Sequence, residues 1–240
     1  MDDRVLDYHD ILLRVRDVAL LRGPQWLNDQ VLSFYFAHLQ NDGRSPADVA
    51  FVDASMSFLL GNLSPTEVSS VLASTKVSSA SVILALVNDE CDVKRGDGGS
   101  HWSLLVFRKG IGWSHYDSSQ TGGSRANKAN ANTLAAALAP YVRSGDGDGG
   151  VVNHKPPDAP TQVNGYDCGA YALATAEAVR DAHVEVTRSH RSGSRDSGCG
   201  DAYDERLRAR LRDITPEYVA EFRRGILSLI EELAEDDLSI

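Results

Sequence analysis

Apolar side chains recur every three to four residues in several stretches of the chain, as in helices that bury one face. This pattern predicts helices over 26–40, 134–142 and 169–179. Gly23-Pro24 supplies a break just before the first of them. Thr215-Pro216 predicts the start of a final amphipathic helix.

The best-marked helix start is Ser64-Pro65-Thr66-Glu67. Ser64 is a good N-cap, proline is favoured at the first helical position, and a glutamate three residues after the cap completes a capping box. The sequence therefore predicts a helix from this point through Leu72.

Two apolar runs predict central strands. The run over 81–87 contains Val, Ile, Leu and Ala without a charge, which is typical of a strand buried on both faces. A second strand is predicted over 102–107, followed by a hairpin loop at Arg108-Lys109-Gly110 and a return strand over 112–117. Helices and strands mixed in this order predict fold class α+β.

Two polar stretches, 144–158 and 187–204, are rich in Gly, Ser, Asp and Arg and are predicted to be surface loops. We expect 187–204 to be a flexible surface insertion in a single domain that spans 1–240. Asp146-Gly147-Asp148-Gly149 resembles part of a calcium loop. It lacks the downstream glutamate that such a loop needs, so we interpret it as a solvated turn.

Composition and charge narrow the possible partners. The 240 residues are 42% apolar, which is enough for a core, and 24 Lys and Arg against 34 Asp and Glu give a net charge of -10. That sign is wrong for binding a nucleic-acid backbone. Apolar stretches stop short of the roughly 20 residues of a membrane-spanning helix, and the first residues lack a signal-peptide pattern. We therefore expect a soluble protein of the cytoplasm or nucleus, with no nucleic-acid or membrane partner.

The cysteines agree with a reducing compartment. Cys91, Cys168 and Cys199 are odd in number and widely spaced, which argues against a disulfide framework and against structural zinc. We expect no metal and no cofactor. Cys91 is expected in a turn near His101, and Cys199 is expected to be exposed and unactivated.

The predicted hairpin suggests a histidine–aspartate pair. If Phe107 pairs with Ile111 across the loop, His101 lies directly opposite Asp117. Opposed residues share a face with Cβ atoms about 4.5 to 5.5 Å apart, close enough for a carboxylate to accept a hydrogen bond from an imidazole. The alternative is a solvated histidine at a strand end.

Cys168 lies where a polar loop turns into an Ala-rich helical pattern. The positive end of a helix dipole and its unpaired N–H groups favour a thiolate there. Gln162, six residues upstream, carries an amide that can donate to a developing oxyanion. The alternative for Cys168 is a residue that merely packs where helix meets sheet.

Together these residues fit nucleophilic acyl transfer. Cys168 is the candidate nucleophile, His101 the base that later protonates the leaving amine, Asp117 the carboxylate that orients the imidazole, and Gln162 the oxyanion donor. No Gly-x-Ser-x-Gly motif, Walker loop or dinucleotide fingerprint competes with this interpretation.

Four separated motifs resemble the ubiquitin-like-protein proteases of the sentrin-specific (Ulp) family, and within it the compact deneddylase members. They are Trp26-Leu27-Asn28-Asp29, Gly99-Ser100-His101-Trp102-Ser103-Leu104-Leu105, His115-Tyr116-Asp117-Ser118 and, after Gln162, Tyr166-Asp167-Cys168-Gly169. The resemblance covers about 5–182 and 207–233. It implies a papain-like fold of the Ulp type, with a central mixed sheet flanked by helices and the nucleophile at a helix N-terminus.

The resemblance implies the same four catalytic residues that the chemistry suggests. It also implies a substrate-binding set that consists of Trp26, Asn28, Asp29, Trp102 and Asp167. The two indoles would roof a narrow channel, through which only a flat glycine backbone can pass. A di-glycine tail is therefore the implied substrate end.

The implied function is a cysteine isopeptidase and endopeptidase that cleaves after the C-terminal Gly-Gly of a ubiquitin-like modifier, for precursor processing and for release from target lysines. A Nedd-type modifier is the first expectation and SUMO the second, with the enzyme a monomer. Two alternatives stay open. One is an acetyltransferase of the same clan, which usually has Glu where Asp117 stands; the other is a catalytically silent module that binds the modifier.

Overall fold

Seven strands and eight α-helices lie within the residues that the computed structural model describes, which are 3–90, 99–120, 124–142, 150–154, 156–191 and 199–237. The strands are β1 (Arg4–Tyr8), β2 (Ile11–Arg14), β3 (Val49–Val52), β4 (Val82–Asn88), β5 (Trp102–Arg108), β6 (Gly112–Tyr116) and β7 (Val152–Asn153). The helices are α1 (Val15–Ala19), α2 (Asp29–Asn41), α3 (Ala54–Asn62), α4 (Pro65–Leu72), α5 (Arg125–Leu138), α6 (Cys168–Arg191), α7 (Cys199–Arg212) and α8 (Pro216–Asp237).

A five-stranded mixed sheet in the order β3-β4-β5-β6-β7 forms the centre of the fold. The β3–β4 and β6–β7 pairs are parallel, and β4–β5 and β5–β6 are antiparallel. The strands β1 and β2 form a separate antiparallel hairpin. The predicted α+β class is confirmed.

Both faces of this sheet are buried, as the charge-free run over 81–87 predicts. Alternate side chains of β4 enter different clusters: Leu84 packs with α2, α6 and α8, whereas Ile83 packs with α4 and α5. The Ala-rich face of α6, which includes Ala172 and Ala176, lies in the first cluster. Small side chains allow this helix to approach the sheet closely.

Several helix starts agree with the local signals. The helix α4 spans Pro65–Leu72, and its capping box pairs Ser64 with Glu67. The helix α8 begins at Pro216, and the Thr215 hydroxyl accepts a hydrogen bond from a backbone N–H of the first turn. The helix α2 starts at Asp29 rather than at 26, because Asn28 is its N-cap.

The helix predicted over 134–142 is present but starts earlier than predicted. The helix α5 begins at Arg125, with Ser124 as N-cap, and ends at Leu138, where a short 3-10 turn follows. The polar residues of its first turns hide the helical pattern, although Asn127 and Ala131 are buried.

The hairpin register differs from the predicted one. Arg108 pairs with Gly112, so the loop consists of Lys109, Gly110 and Ile111. Gly110 and Gly112 both take positive φ, 83° and 100°, and this backbone conformation favours glycine. Extending the ladder would place Asp117 opposite residue 103 rather than opposite His101. The shift of two residues keeps the same face of the sheet.

The stretch 187–204 was wrongly predicted to be loop at both ends. Residues 187–191 continue α6 and residues 199–204 begin α7, while 192–198 lie outside the described residues. Tyr203 fastens the start of α7, since its hydroxyl donates to the carbonyl oxygen of Val179 and its ring lies beneath the guanidinium of Arg108. These contacts join segments far apart in sequence, which polar composition does not reveal.

The stretch 144–158 also contains regular structure. Val152 and Asn153 form β7, which adds a parallel strand beside β6 at the edge of the sheet. The turn predicted at 146–149 lies outside the described residues. Over the described ranges, no helix combines the length and apolarity needed to cross a membrane.

A buried arginine connects α6 to the end of α2. Arg180 is fully buried, and its Nη1 donates to Asp42 Oδ2 at 2.7 Å and to the carbonyl oxygen of Leu39 at 3.2 Å. Its Nε lies 2.6 Å from Asp181 Oδ1 without hydrogen-bond geometry. Removing one partner from such a cluster leaves uncompensated buried charge.

We expect Arg180→Ala to lower the free energy of unfolding by about 3–5 kcal/mol, because Asp42, Glu177 and Asp181 would lose their buried partner. Asp42 would keep only the half-exposed Arg44, which lies 2.8 Å from the same carboxylate oxygen. Urea denaturation followed by circular dichroism measures the loss. The control is Arg22→Ala, which breaks an exposed 2.7 Å pair with Glu231 and should cost at most about 1 kcal/mol. Equal losses in the two variants would contradict this account of the cluster.

Candidate active site

The candidate nucleophile lies at the start of the longest helix of the described fold. Cys168 is the first residue of α6 and is 1% exposed. The first N–H groups of a helix lack partners within it, and the helix dipole is positive at this end. Cys168 therefore lies at the helix terminus that stabilises a thiolate.

His101 and Asp117 form a close pair at the ends of two adjacent strands of the central sheet. His101 lies just before β5 and Asp117 just after β6, and His101 Nε2 is 2.7 Å from Asp117 Oδ1. The Cys168 side chain lies close enough to the same imidazole to contribute to raising its pKa. The three residues predicted to act together are thus in contact, although the register that suggested the pair was wrong.

The charges of this pair support each other. Burial lowers the pKa of His101, but hydrogen bonds to Asp117 and Cys168 outweigh it and raise that pKa to about 10. Burial raises the pKa of Asp117, yet hydrogen bonds from His101 and from backbone N–H groups of Ser119 and Ser124 bring it below its ordinary value. An imidazolium paired with a carboxylate is therefore favoured at neutral pH.

A second histidine on the same sheet, His115, has a lowered pKa instead of a raised one. His115 is 1% exposed and hydrogen-bonds the hydroxyl of Ser103 and the imidazole of His154. Burial lowers the pKa of His115 to about 4. It is therefore neutral at physiological pH, which leaves His101 as the charged imidazole of the site.

Gln162 lies beside the loop that leads to Cys168. Its Oε1 accepts from the Ser118 hydroxyl at 2.7 Å, and its Nε2 donates to the carbonyl oxygen of Asn164 at 2.6 Å. These bonds fix the orientation of the amide. An amide nitrogen carries two hydrogens, so one remains for an oxyanion.

Two tryptophans line a cleft of about 1110 Å³. Trp26 is 54% exposed and donates from Nε1 to the carbonyl oxygen of Gly165 at 2.6 Å. Trp102 donates from Nε1 to the carbonyl oxygen of Leu27 at 2.9 Å. A Cβ on Gly169 would lie 3.5 Å from the Trp102 ring, so this indole lies close to the start of α6, next to the nucleophile.

Asn28 and Asp29 also line the cleft. Asn28 is committed to the fold, since its Oδ1 caps α2 and its Nδ2 donates to the buried Asp17 at 2.7 Å. Asp29 is exposed, and its carboxylate accepts from the backbone N–H of Gln30. Of these two, Asp29 is the one whose side chain faces solvent.

Asp167 does not line the cleft, in contrast to the rest of the predicted substrate-binding set. It is 6% exposed, and its Oδ1 accepts from Arg223 Nη1 at 2.8 Å. Its Oδ2 accepts from Asn164 Nδ2 at 2.7 Å. Both oxygens are therefore engaged within the protein, which points to a supporting position rather than a contact with substrate.

Sequence reasoning missed several residues that hold the site. Asp89 accepts from the backbone N–H groups of Ser100 and His101, at 2.6 and 3.0 Å, and so fixes the chain before β5. Gly169 is tightly packed, because a Cβ there would lie 3.2 Å from side-chain atoms of Leu27 and Leu32, which would have to shift to accept it. A glycine directly after the nucleophile was the available signal, whereas nothing local marks Asp89.

The side chains of the other two cysteines lie outside the described part of the structure. Cys91 lies outside the described residues. Cys199 is the first residue of α7, and its side chain is likewise not described. The expectations for both remain predictions.

Comparison with known proteins identifies close relatives. No family model matches the chain. NEDD8-specific protease 1 of Arabidopsis thaliana is 31% identical over 99% of this chain and 97% of its own length. Sentrin-specific protease 8 of Homo sapiens is 31% identical over 98% of this chain and 100% of its own length.

Solved structures show the same fold. The yeast Ulp1 protease domain, in complex with the SUMO orthologue Smt3, matches with a TM-score of 0.61 and 20% identity, over 98% of this chain and 89% of that domain. The Xanthomonas campestris effector XopD, bound to ubiquitin, matches with a TM-score of 0.50 and 20% identity, over 78% of this chain and 91% of that one. The predicted Ulp-type fold is confirmed.

The His101–Cys168 contact predicts unusual thiol chemistry. We expect Cys168 alkylation by iodoacetamide to vary little between pH 6 and 8, since His101, with its pKa raised to about 10, stays protonated there. In His101→Ala the rate should decrease as the pH is lowered, as it does for an ordinary thiol. At pH 6 it should lie at least about 100-fold below the wild-type rate. Mass spectrometry of the Cys168 peptide measures both rates.

The matched control is His183→Ala. His183 is 14% exposed in its side chain, as His101 is, and it also pairs with an aspartate, Asp48, at 3.1 Å. Its removal should leave the alkylation profile unchanged. Identical profiles for His101→Ala and wild type would exclude the pairing.

Proposed function

Because the chain belongs to the sentrin-specific (Ulp) family of ubiquitin-like-protein proteases, we propose that it cleaves after the C-terminal Gly-Gly of a ubiquitin-like modifier. It would do so as a cysteine protease and isopeptidase, both on modifier precursors and on conjugates with target lysines. The observation that carries this proposal is the 2.7 Å hydrogen bond between the His101 imidazole and Asp117, with Cys168 close to the same imidazole and a cleft that two indoles line beside them.

A Nedd-type modifier is the preferred substrate and SUMO the second. Two relatives that match nearly the whole chain are named as a NEDD8-specific protease and a sentrin-specific protease. The solved structures of similar fold hold SUMO in one case and ubiquitin in another, at lower identity. The first of these relatives, whose identity to this chain is higher than that of the solved structures, therefore favours the Nedd-type modifier.

The catalytic roles follow from the site geometry. The Cys168 sulfur attacks the carbonyl carbon of the terminal glycine, and His101 holds the proton that the thiol gives up. Asp117 keeps the imidazole oriented and charged. The amide of Gln162 and the first backbone N–H groups of α6 donate to the oxyanion.

The intermediate then collapses. The carbon–nitrogen bond breaks, the leaving lysine or peptide amine takes the proton from His101, and a thioester joins Cys168 to the modifier. Water, deprotonated by His101, attacks that thioester and releases the free modifier. The same imidazole thus acts as acid in one step and as base in the next.

The cleft selects the shape of the substrate tail. Trp26 and Trp102 lie along it, and Trp102 lies close to the start of α6. Glycines present no side chain to such walls, so a Gly-Gly end reaches the sulfur where a bulkier tail is blocked. The folded part of the modifier docks outside and supplies further specificity.

The remaining assignments go with this chemistry. A reducing compartment preserves a free thiol nucleophile best, which favours the cytoplasm or nucleus. The proposed partners are the modifier and its conjugates, and the enzyme acts as a monomer without a cofactor. The single domain over 1–240 belongs to the same proposal.

We expect wild type to release a fluorophore from the C-terminus of a Nedd-type modifier, and Cys168→Ala to release none. Fluorogenic fusions of Nedd-type modifier, SUMO and ubiquitin, assayed in parallel, measure both the activity and the preference. A Nedd-type fusion that ends in Gly-Ala is the matched substrate control and should resist cleavage. If the fluorophore is released faster from the SUMO fusion, SUMO replaces the Nedd-type modifier as the proposed substrate.

Release from none of the three fusions by a folded enzyme would contradict the proposed activity. Coenzyme A binding would then support the acetyltransferase, whereas capture of an uncleaved modifier would support the binding module.

Trp26→Ala should raise KM for the Nedd-type fusion about five- to tenfold while kcat changes less, because Trp26 lines the cleft whereas the proposed catalytic groups are not among its lining residues. Steady-state kinetics measures both constants. Ile111→Ala is the control, since this side chain is equally exposed, at 54%, but lies at the hairpin tip. A similar KM for both variants would remove Trp26 from the substrate site.

A further inference from the structure

A single arginine of the last helix joins the two loops that build the site. Arg223 of α8 is 5% exposed. Its Nη1 donates to Asp167 Oδ1 at 2.8 Å. Its Nη2 donates to three backbone carbonyl oxygens, those of Leu20 at 2.7 Å, Gly23 at 2.9 Å and Gln25 at 3.0 Å.

The two nitrogens face two different parts of the site. The three carbonyls belong to the segment directly before Trp26, which lines the cleft. Asp167 directly precedes Cys168. Trp26 itself donates to the carbonyl oxygen of Gly165 in the loop before the nucleophile, so the two loops also meet at the surface. Arg223 is the buried connection beneath that contact.

The charge of Arg223 also matters to the nucleophile. Asp167 is 6% exposed, and a buried carboxylate beside a thiol opposes the formation of a second negative charge. The ion pair with Arg223 neutralises it. A lysine could keep this charge, but it lacks the planar fork that reaches the carboxylate and the carbonyls together.

We propose that Arg223 is a positioning residue that couples the Trp26 segment to the loop before Cys168, holding the cleft wall and the nucleophile in one arrangement. It touches no reacting atom and acts through Asp167 and the three carbonyls. The proposal deepens the function proposed above and rests on it where substrate turnover is the readout.

The test compares Arg223→Met, Arg223→Lys and the control Arg224→Met in the full chain. Arg224 is 68% exposed in its side chain and lies 3.9 Å from Glu221. Two readouts are used: KM for the Nedd-type fusion, which reports the cleft, and the iodoacetamide rate of Cys168 at pH 6, which reports the nucleophile without any substrate. Thermal melting checks the fold of each variant.

In Arg223→Met we expect KM to rise at least about fivefold and the alkylation rate to fall at least about threefold, because both loops lose their shared partner. Arg223→Lys should recover the alkylation rate, since it keeps the charge, but not KM, since it lacks the fork. Arg224→Met should stay within about twofold of wild type in both readouts.

Several results would overturn the coupling. A change in only one readout for Arg223→Met would confine the residue to one loop, and full recovery of both by lysine would show that charge alone suffices. Loss of cooperative melting in both Arg223 variants would make the residue a requirement of the fold as a whole. If wild type cleaves no fusion, the proposed function fails, while an unchanged alkylation rate in Arg223→Met would still overturn the coupling by itself.

Discussion

The hydrogen bond between His101 and Asp117 is the interaction on which the site depends. It spans the ends of two antiparallel strands whose other side chains are mostly apolar and buried. Burial alone would drive His101 towards its neutral form, as it does for His115 on the same sheet. The carboxylate reverses this effect and keeps a charged imidazole against the sulfur of Cys168. His101 and Asp117 both lie just beyond the paired parts of β5 and β6, where polar side chains are outside the apolar core.

The rest of the fold brings a thiol to that pair. The helix α6 packs its small side chains against the sheet, so its first residue arrives at the sheet edge close to the imidazole. Gly169 lets Trp102 and α2 approach the same helix terminus. Asp167 is buried beside Cys168, and its negative charge is balanced by Arg223 of α8. The residues on either side of Cys168 are thus held by elements distant in sequence: Gly169 by α2 and Trp102, and Asp167 by α8.

The same elements give the site its shape. The cleft lies between the segment before α2 and the start of β5, with an indole on each. The charged His101–Asp117 pair lies beside this cleft and is not part of its lining. The two indoles and the charged pair are therefore neighbouring but separate groups, while Arg223 connects the Trp26 segment to the loop before Cys168.

Local sequence signals determined much of this protein. The capping box at Ser64, the charge-free strand over 81–87 and a cysteine at the start of an Ala-rich helix each depend on neighbours within a few residues, and each was predicted. The reactive residue types and their chemistry could be predicted in the same way. The tertiary structure alone decided the hairpin register, the helical ends of 187–204 and the partner of Asp167. These depend on which surfaces pack together across the chain, since Arg223 lies 56 residues from Asp167 and no local pattern records that contact.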